Sequence, residues 1–200
     1  MKRLTGIVAL CILSALWTGC ASTPQSHFFT LSPVSKPAAV AAASYSISVG
    51  PVTVPAAVDR PQIVVRVGPN QVEIDEFNRW ASPLQSDIAR VIAENLVLML
   101  GTPDVTLFPQ TTAAGASYRV TISVLRFDSV PGGAATLDAV WTVRRVKEDQ
   151  SRTGRTSLSV PTQGSGYAPL VAAHSLALEK LSADVAEAIR TMEKKGREAS

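Results

Sequence analysis

Few residues in this 200-residue chain are of the types, and at the spacings, that perform chemistry. The cysteines are Cys11 and Cys20 and the histidines are His27 and His174, too small a supply for a zinc site built from those ligands. A Ser-His-Asp arrangement needs a histidine oriented by an acid and set against a serine. His27 lies in a polar N-terminal stretch, and His174 falls in the apolar stripe of a helical pattern, where a packed histidine is the expectation. Glu73, Asp75 and Glu76 crowd the end of a strand-like segment. Paired carboxylates can exchange protons with a substrate, but a solvated face is the simpler reading. The glycines of "PGGA" (131–134) and "QGSG" (163–166) lack both the P-loop lysine and the dinucleotide-binding spacing, so they read as turn glycines. The chain is therefore not expected to be an enzyme, nor to hold a metal or a non-covalent cofactor.

Cys20 differs because of what precedes it. Lys2 and Arg3 form a positive start, and Ile7 to Trp17 form an apolar run interrupted only by Ser14. That run is shorter than the roughly 20 residues a membrane-spanning helix needs, and its place at the N-terminus marks an export signal. Thr18, Gly19 and Cys20 resemble the end of a bacterial lipobox, with Trp17 where leucine is usual and Leu16 one place early. The resemblance implies cleavage before Cys20 and a covalent lipid on its sulfur. Cys11 would leave with the signal, so the exported chain would carry no free thiol. Ala21 follows the cysteine in place of the aspartate that tends to retain such proteins in the inner membrane. The expected location is the periplasmic face of the outer membrane.

Removing residues 1–19 from the 200 leaves 181, enough for one domain with a substantial core. Lys2 and Arg3 go with the signal, so the formal net charge of +3 falls to +1. That balance, and the absence of a concentrated basic face, argue against a nucleic-acid partner. Arg144 with Arg145, and the 194–197 stretch, read as solvated ends.

The elements follow from periodicity. "FFTL" (28–31) reads as a short strand, followed by a Pro/Ala/Ser-rich loop to residue 44. "YSISVGPVTV" (45–54) alternates as a half-buried strand limited by Pro51 and Pro55. "PQIVVRV" and "QVEID" flank "GPN" as a hairpin. Ser82, Pro83 and Gln85 have the spacing of a capping box, and apolar residues from Leu84 to Leu100 recur at helical spacing until Gly101. Further strands are expected over 104–108, 118–127 and 136–146, then a polar turn over 147–154 and a strand over 155–160. A second helix carries Leu170, His174, Leu178, Leu181, Val185, Ile189 and Met192 on one face. The predicted fold class is α+β: a mainly antiparallel sheet with two long amphipathic helices packed on one face. The expected organisation is a signal over 1–19, a lipidated tether, short strand and loop over 20–44, one domain over 45–194, and a polar tail over 195–200.

Arg79 and Trp80 stand just before the first helix, where a large aromatic beside a cation can anchor an interface or close the helix onto the sheet. Around them, "FFTL", "VGPV", "DRPQIVVR" (59–66), "RWASPL" (79–84) and "NLVLMLG" (95–101) together resemble the ABC-transport auxiliary lipoprotein family, in order and spacing over most of the exported chain. The resemblance implies a periplasmic component, tethered to the outer membrane, that works with an inner-membrane ABC permease and an MCE-domain protein in intermembrane phospholipid movement and envelope integrity. On it we expect Asp59, Arg60, Pro61, Gln62, Arg79 and Trp80 to form the partner-docking surface, with Cys20 as the lipid site. A ring-like homo-oligomer would suit a tubular partner. The alternative is a lipoprotein regulator of a periplasmic cell-wall enzyme; a direct lipid carrier would need a continuous apolar cavity.

Overall fold

The structure is a computed structural model that describes residues 24–37, 43–110 and 115–198, so Cys20 and the expected signal over 1–19 lie outside the described residues. The elements in chain order are β1 (His27–Phe29), β2 (Ile47–Thr53), β3 (Gln62–Gly68), β4 (Gln71–Trp80), α1 (Leu84–Leu100), β5 (Val105–Leu107), β6 (Tyr118–Ser129), β7 (Ala134–Arg145), β8 (Gln150–Pro161) and α2 (Tyr167–Glu198). The class is α+β, as expected, but the strands form two sheets of mixed sense. A five-stranded sheet runs β5-β2-β6-β7-β8, and a three-stranded sheet runs β1-β4-β3.

Strands β6, β7 and β8 are joined by tight turns and pair antiparallel. β2 lies parallel to both β5 and β6, because the chain leaves β2 for the hairpin and α1 before it returns to either side. The sheet is therefore less purely antiparallel than the sequence suggests. Pro51 does not end β2. The ladder to β6 skips from Val49 to Val52, so the proline that cannot donate a hydrogen bond sits in the irregularity.

The alternation of β6 is as read: Tyr118, Val120, Ile122 and Val124 are buried, and Arg119, Thr121 and Ser123 are exposed. A bulge between Val124 and Arg126 then adds one residue, Leu125, and shifts the phase of the strand. After it Phe127 and Ser129 become the buried positions, both nearly inaccessible to water. Opposite them β7 buries Leu137 and Ala135. The polar stretch 151–154 belongs to β8 and not to a turn. Gly154 in it faces Trp141, whose ring fills the space a Cβ would need.

Both helices cover this sheet and contact each other, α1 over β2 and β5 and α2 over β7 and β8. Every residue of the apolar stripe expected on α2 is buried. α2 continues to Glu198, into the segment assigned to a polar tail. At α1 the capping box is not formed. Pro83 is the N-cap with an extended ψ of 127°, its carbonyl accepts from Ser86 and Asp87, and no side chain caps the helix. The C-terminal signal holds: Gly101 is left-handed at φ 66°, and its N–H donates to the Val97 carbonyl.

The hairpin of β3 and β4 closes at 69–70 as expected, but β4 runs on to Trp80 and there pairs in parallel with β1. His27 is thus the first residue of a strand, opposite Asn78, and is not part of a tether. The chain just after β1 is fastened to α1 through Asp87. Its carboxylate accepts from the Leu31 N–H at 2.8 Å and the Thr30 hydroxyl at 3.2 Å. Arg90, paired with Asp87, donates back to the Leu31 carbonyl at 2.7 Å.

Candidate functional site

The two most specific sequence segments, 59–61 and 80–84, meet in space. They line one groove of about 290 Å³, with Asp59, Arg60 and Pro61 on one wall and Ala81, Ser82, Pro83 and Leu84 on the other. The wall from 59 to 61 is set by a turn in which the Val58 and Asp59 N–H groups both donate to the Pro55 carbonyl. The Trp80 N–H reaches the Pro61 carbonyl at 2.7 Å, and the Ala81 N–H reaches the Phe29 carbonyl at 2.8 Å. Backbone bonds therefore bind the second wall to the first and to β1. Gln85, free of any capping role, donates to Asp59 at 2.8 Å and ties the turn to α1.

Trp80 is 6% exposed. Its indole meets Phe127 edge-on at 6.2 Å and His174 at 6.4 Å. Of the two roles open to it, packing is the one its position supports, and its remaining edge floors the groove. Gln62 and Arg79 are cross-strand partners beside the groove, and both reach toward Glu76: Gln62 donates to its carboxylate at 3.4 Å, and Arg79 donates to its carbonyl at 2.8 Å. Arg60 is exposed and makes no ion pair among the described residues. The groove thus presents, among the described residues, one cation without an ion pair and one anchored anion above an apolar floor.

The carboxylate cluster is dispersed. Partial burial pushes the Asp75 carboxyl up, but hydrogen bonds from the Tyr167 hydroxyl, the Asn78 side chain and the Asn78 and Phe77 N–H groups outweigh it and hold the pKa down at about 2. A carboxylate so fixed cannot serve as an acid near neutral pH. Glu76 serves Gln62 and Arg79, and Glu73 is exposed.

The bulge in β6 creates one pairing that sequence reasoning did not find. Ser129 and His174 are hydrogen-bonded at 2.8 Å through Nε2, both buried, with the imidazole stacked on Phe127 at 3.9 Å. A serine on a histidine invites a nucleophilic reading, and the arrangement opposes it. Burial holds His174 neutral, with a pKa of about 3, despite the nearby Asp128. Its Nδ1 has no partner, so no acid orients the ring. Without an acid on Nδ1 the ring lacks the orienting and charge-stabilising partner that a Ser-His-acid arrangement requires. Asp128 is committed to Arg66 at 3.2 Å and Arg126 at 2.6 Å. Among the described residues no cluster of three metal-ligating side chains occurs.

The linkage consequence is measurable. The folded pKa of His174 lies below the ordinary value of 6.5, so the unfolded chain takes up the proton first as pH falls. Stability is unaffected by this group above pH 6.5 and falls between about 6.5 and 3, with a limiting slope of about 1.4 kcal/mol per pH unit. Urea midpoints between pH 7.5 and 4.5 should show that decline, and His174→Leu should remove the part of the slope above the carboxylate range. An unchanged slope in the variant would show that other groups carry it.

The fold is an α+β domain with one groove formed where the 59–61 turn meets the entry to α1. A sequence profile of the ABC-type transport auxiliary lipoprotein component family matches residues 29–186, and the chain belongs to that family. The fold is shared with a crystallised Xanthomonas campestris protein of the DUF330 family, at 16% identity and a TM-score of 0.71 over 86% of this chain and 99% of that one. A crystallised uncharacterised protein is similar at 20% identity and a TM-score of 0.68, over 83% of this chain and 99% of that one. No curated protein sequence matches the chain. Among the described residues no helix is long and apolar enough to cross a membrane.

Proposed function

We propose that the protein is an outer-membrane lipoprotein, anchored through Cys20 on the periplasmic face, that receives the distal end of an MCE-domain assembly served by an inner-membrane ABC permease. Its role would be to dock that assembly for phospholipid movement between the membranes. The observation that carries the reading is the groove: the segments that make the family resemblance specific, 59–61 and 80–84, are distant in sequence and form its two walls. Membership in a transport auxiliary family supports a partner among transport components. A binding role also accounts for the exposed Arg60 above an apolar floor, because a solvent-exposed rim cation steers and orients a partner more than it adds affinity.

The test is photo-crosslinking in cells from probes at Arg60 and Ser82, which line the groove and leave the buried indole untouched, followed by mass spectrometry of the captured protein. Capture of an MCE-domain protein is the expected result, and Arg60→Glu should reduce it several-fold while the folded domain is retained. Capture of a cell-wall synthase or hydrolase from the same probes would overturn the transport role in favour of a regulatory lipoprotein.

A further inference from the structure

The three-stranded sheet leaves two phenylalanines exposed. Phe28 is 65% exposed, more than any other large apolar side chain among the described residues, and Phe77 is 38% exposed. Phe28 stands opposite Arg79 in the β1–β4 ladder, and Arg79 stands opposite Gln62 in the β4–β3 ladder, so these three share one face of the sheet. Phe29 and Trp80, the next pair along, share the other face and pack into or against the core. A strand with one covered face normally turns polar side chains to water, and β1 does not at Phe28.

The distance to Cys20 supplies the reason. Phe28 is eight residues beyond Cys20, a reach of at most about 28 Å if fully extended. A domain of this size has a radius of gyration of about 15 Å and so a diameter of about 40 Å. The tether is thus shorter than the domain, and the side bearing β1 is the one brought against whatever Cys20 is embedded in. Residues 21–26 contain no charged side chain to hold that side off. β1 itself cannot peel away freely, because the Phe29 carbonyl accepts from Ala81 and the following residues are clamped to Asp87.

We infer that the Phe28 face of the small sheet, with Arg79 on it and the exposed Phe77 two residues before Arg79, is seated on the lipid leaflet that holds the acyl chains of Cys20, the two rings entering the boundary between headgroups and chains. This rests on the lipid anchor of the proposed function. The acyl chains hold the protein to the leaflet but leave the domain free to rotate about its tether, and a second apolar contact fixes its orientation.

The full-length exported protein offers a clean test, since with Cys20 lipidated it has no thiol to compete with an introduced one. An environment-sensitive fluorophore is attached to Phe28→Cys, to Phe77→Cys, and to Lys147→Cys on the exposed β7–β8 turn, in protein reconstituted into phosphatidylethanolamine/phosphatidylglycerol vesicles. Intact mass reads the lipid on Cys20. The expected result is a blue shift at positions 28 and 77 with strong quenching by bromine-labelled acyl chains, and neither change at 147. Lipidated, vesicle-bound protein with both phenylalanine positions still in water overturns the seated face alone. Protein without acyl mass on Cys20 overturns the anchor, and the seated face with it.

Discussion

Trp80→Ala is expected to destabilise the domain by about 3–5 kcal/mol, the range for truncating a buried aromatic whose site does not collapse. The site has little freedom to collapse. The indole is wedged where the small sheet meets the large one, edge-on to Phe127 and His174. Those two rings are stacked on each other, so neither can swing into the space alone. Trp80→Phe should cost less, because it keeps an aromatic edge against Phe127. Urea unfolding at pH 7.5 gives the size of the loss. A second reading separates the cavity from simple unfolding: water admitted beside His174 would weaken the desolvation that holds its pKa near 3, so its NMR titration in a still-folded variant should move up toward the ordinary value. A folded Trp80→Ala with an unmoved His174 would mean that the indole does not seal that site.

Where the chain obeys a local period, its sequence was legible. The stripes of α1 and α2, the alternation of β6 and the Gly101 stop depend on neighbours three or four residues away, or two, and the structure keeps them. What escaped was set over longer distances. β1 is three residues long and finds β4 about fifty residues later, which no local pattern announces, so the hairpin was not assigned a sheet of its own. The capping box failed because Pro83 is extended, which starts α1 one residue late and leaves Gln85 to serve Asp59 instead. The Ser129–His174 pair did leave a trace. Val124 and Leu125 are adjacent apolar residues in an otherwise alternating strand, and that break is the mark of the bulge which turns Phe127 and Ser129 inward. At the groove, the residues 59–62 and 79–80 were singled out together and the structure brings them together, but the burial of Trp80 depends on Phe127 and α2 and could not be read from its own neighbours.

Asp87→Ala should cost about 3 kcal/mol, near the lower end for removing one partner of a buried ion pair. The carboxylate is 2% exposed, and its loss strands the Leu31 N–H without an acceptor. Arg90 softens the cost. It is 36% exposed and keeps Glu94 at 3.1 Å, so it can turn to water in place of remaining buried and unpaired. The loss of an acid in the first turn of α1 adds a few tenths of a kcal/mol from the helix dipole. Asp87→Asn is not a conservative control, because the amide must present an N–H toward groups that are themselves donors. It should be destabilising as well. The double variant with Arg90→Ala should cost less than the sum of the two single changes, since each single change already breaks the same pair. The distinctive reading is local. Hydrogen exchange at Thr30 and Leu31 should accelerate far more than exchange in β6 or β7, because Asp87 clamps the chain just after β1 and touches neither strand. If the clamp orients the anchored end of the domain, Asp87→Ala should also loosen the seating of Phe28 against lipid, seen as weaker acyl-chain quenching at position 28 while the protein stays folded and vesicle-bound. Uniform acceleration of exchange across the sheet would instead make Asp87 a part of global stability, with no special hold on the membrane-proximal strand.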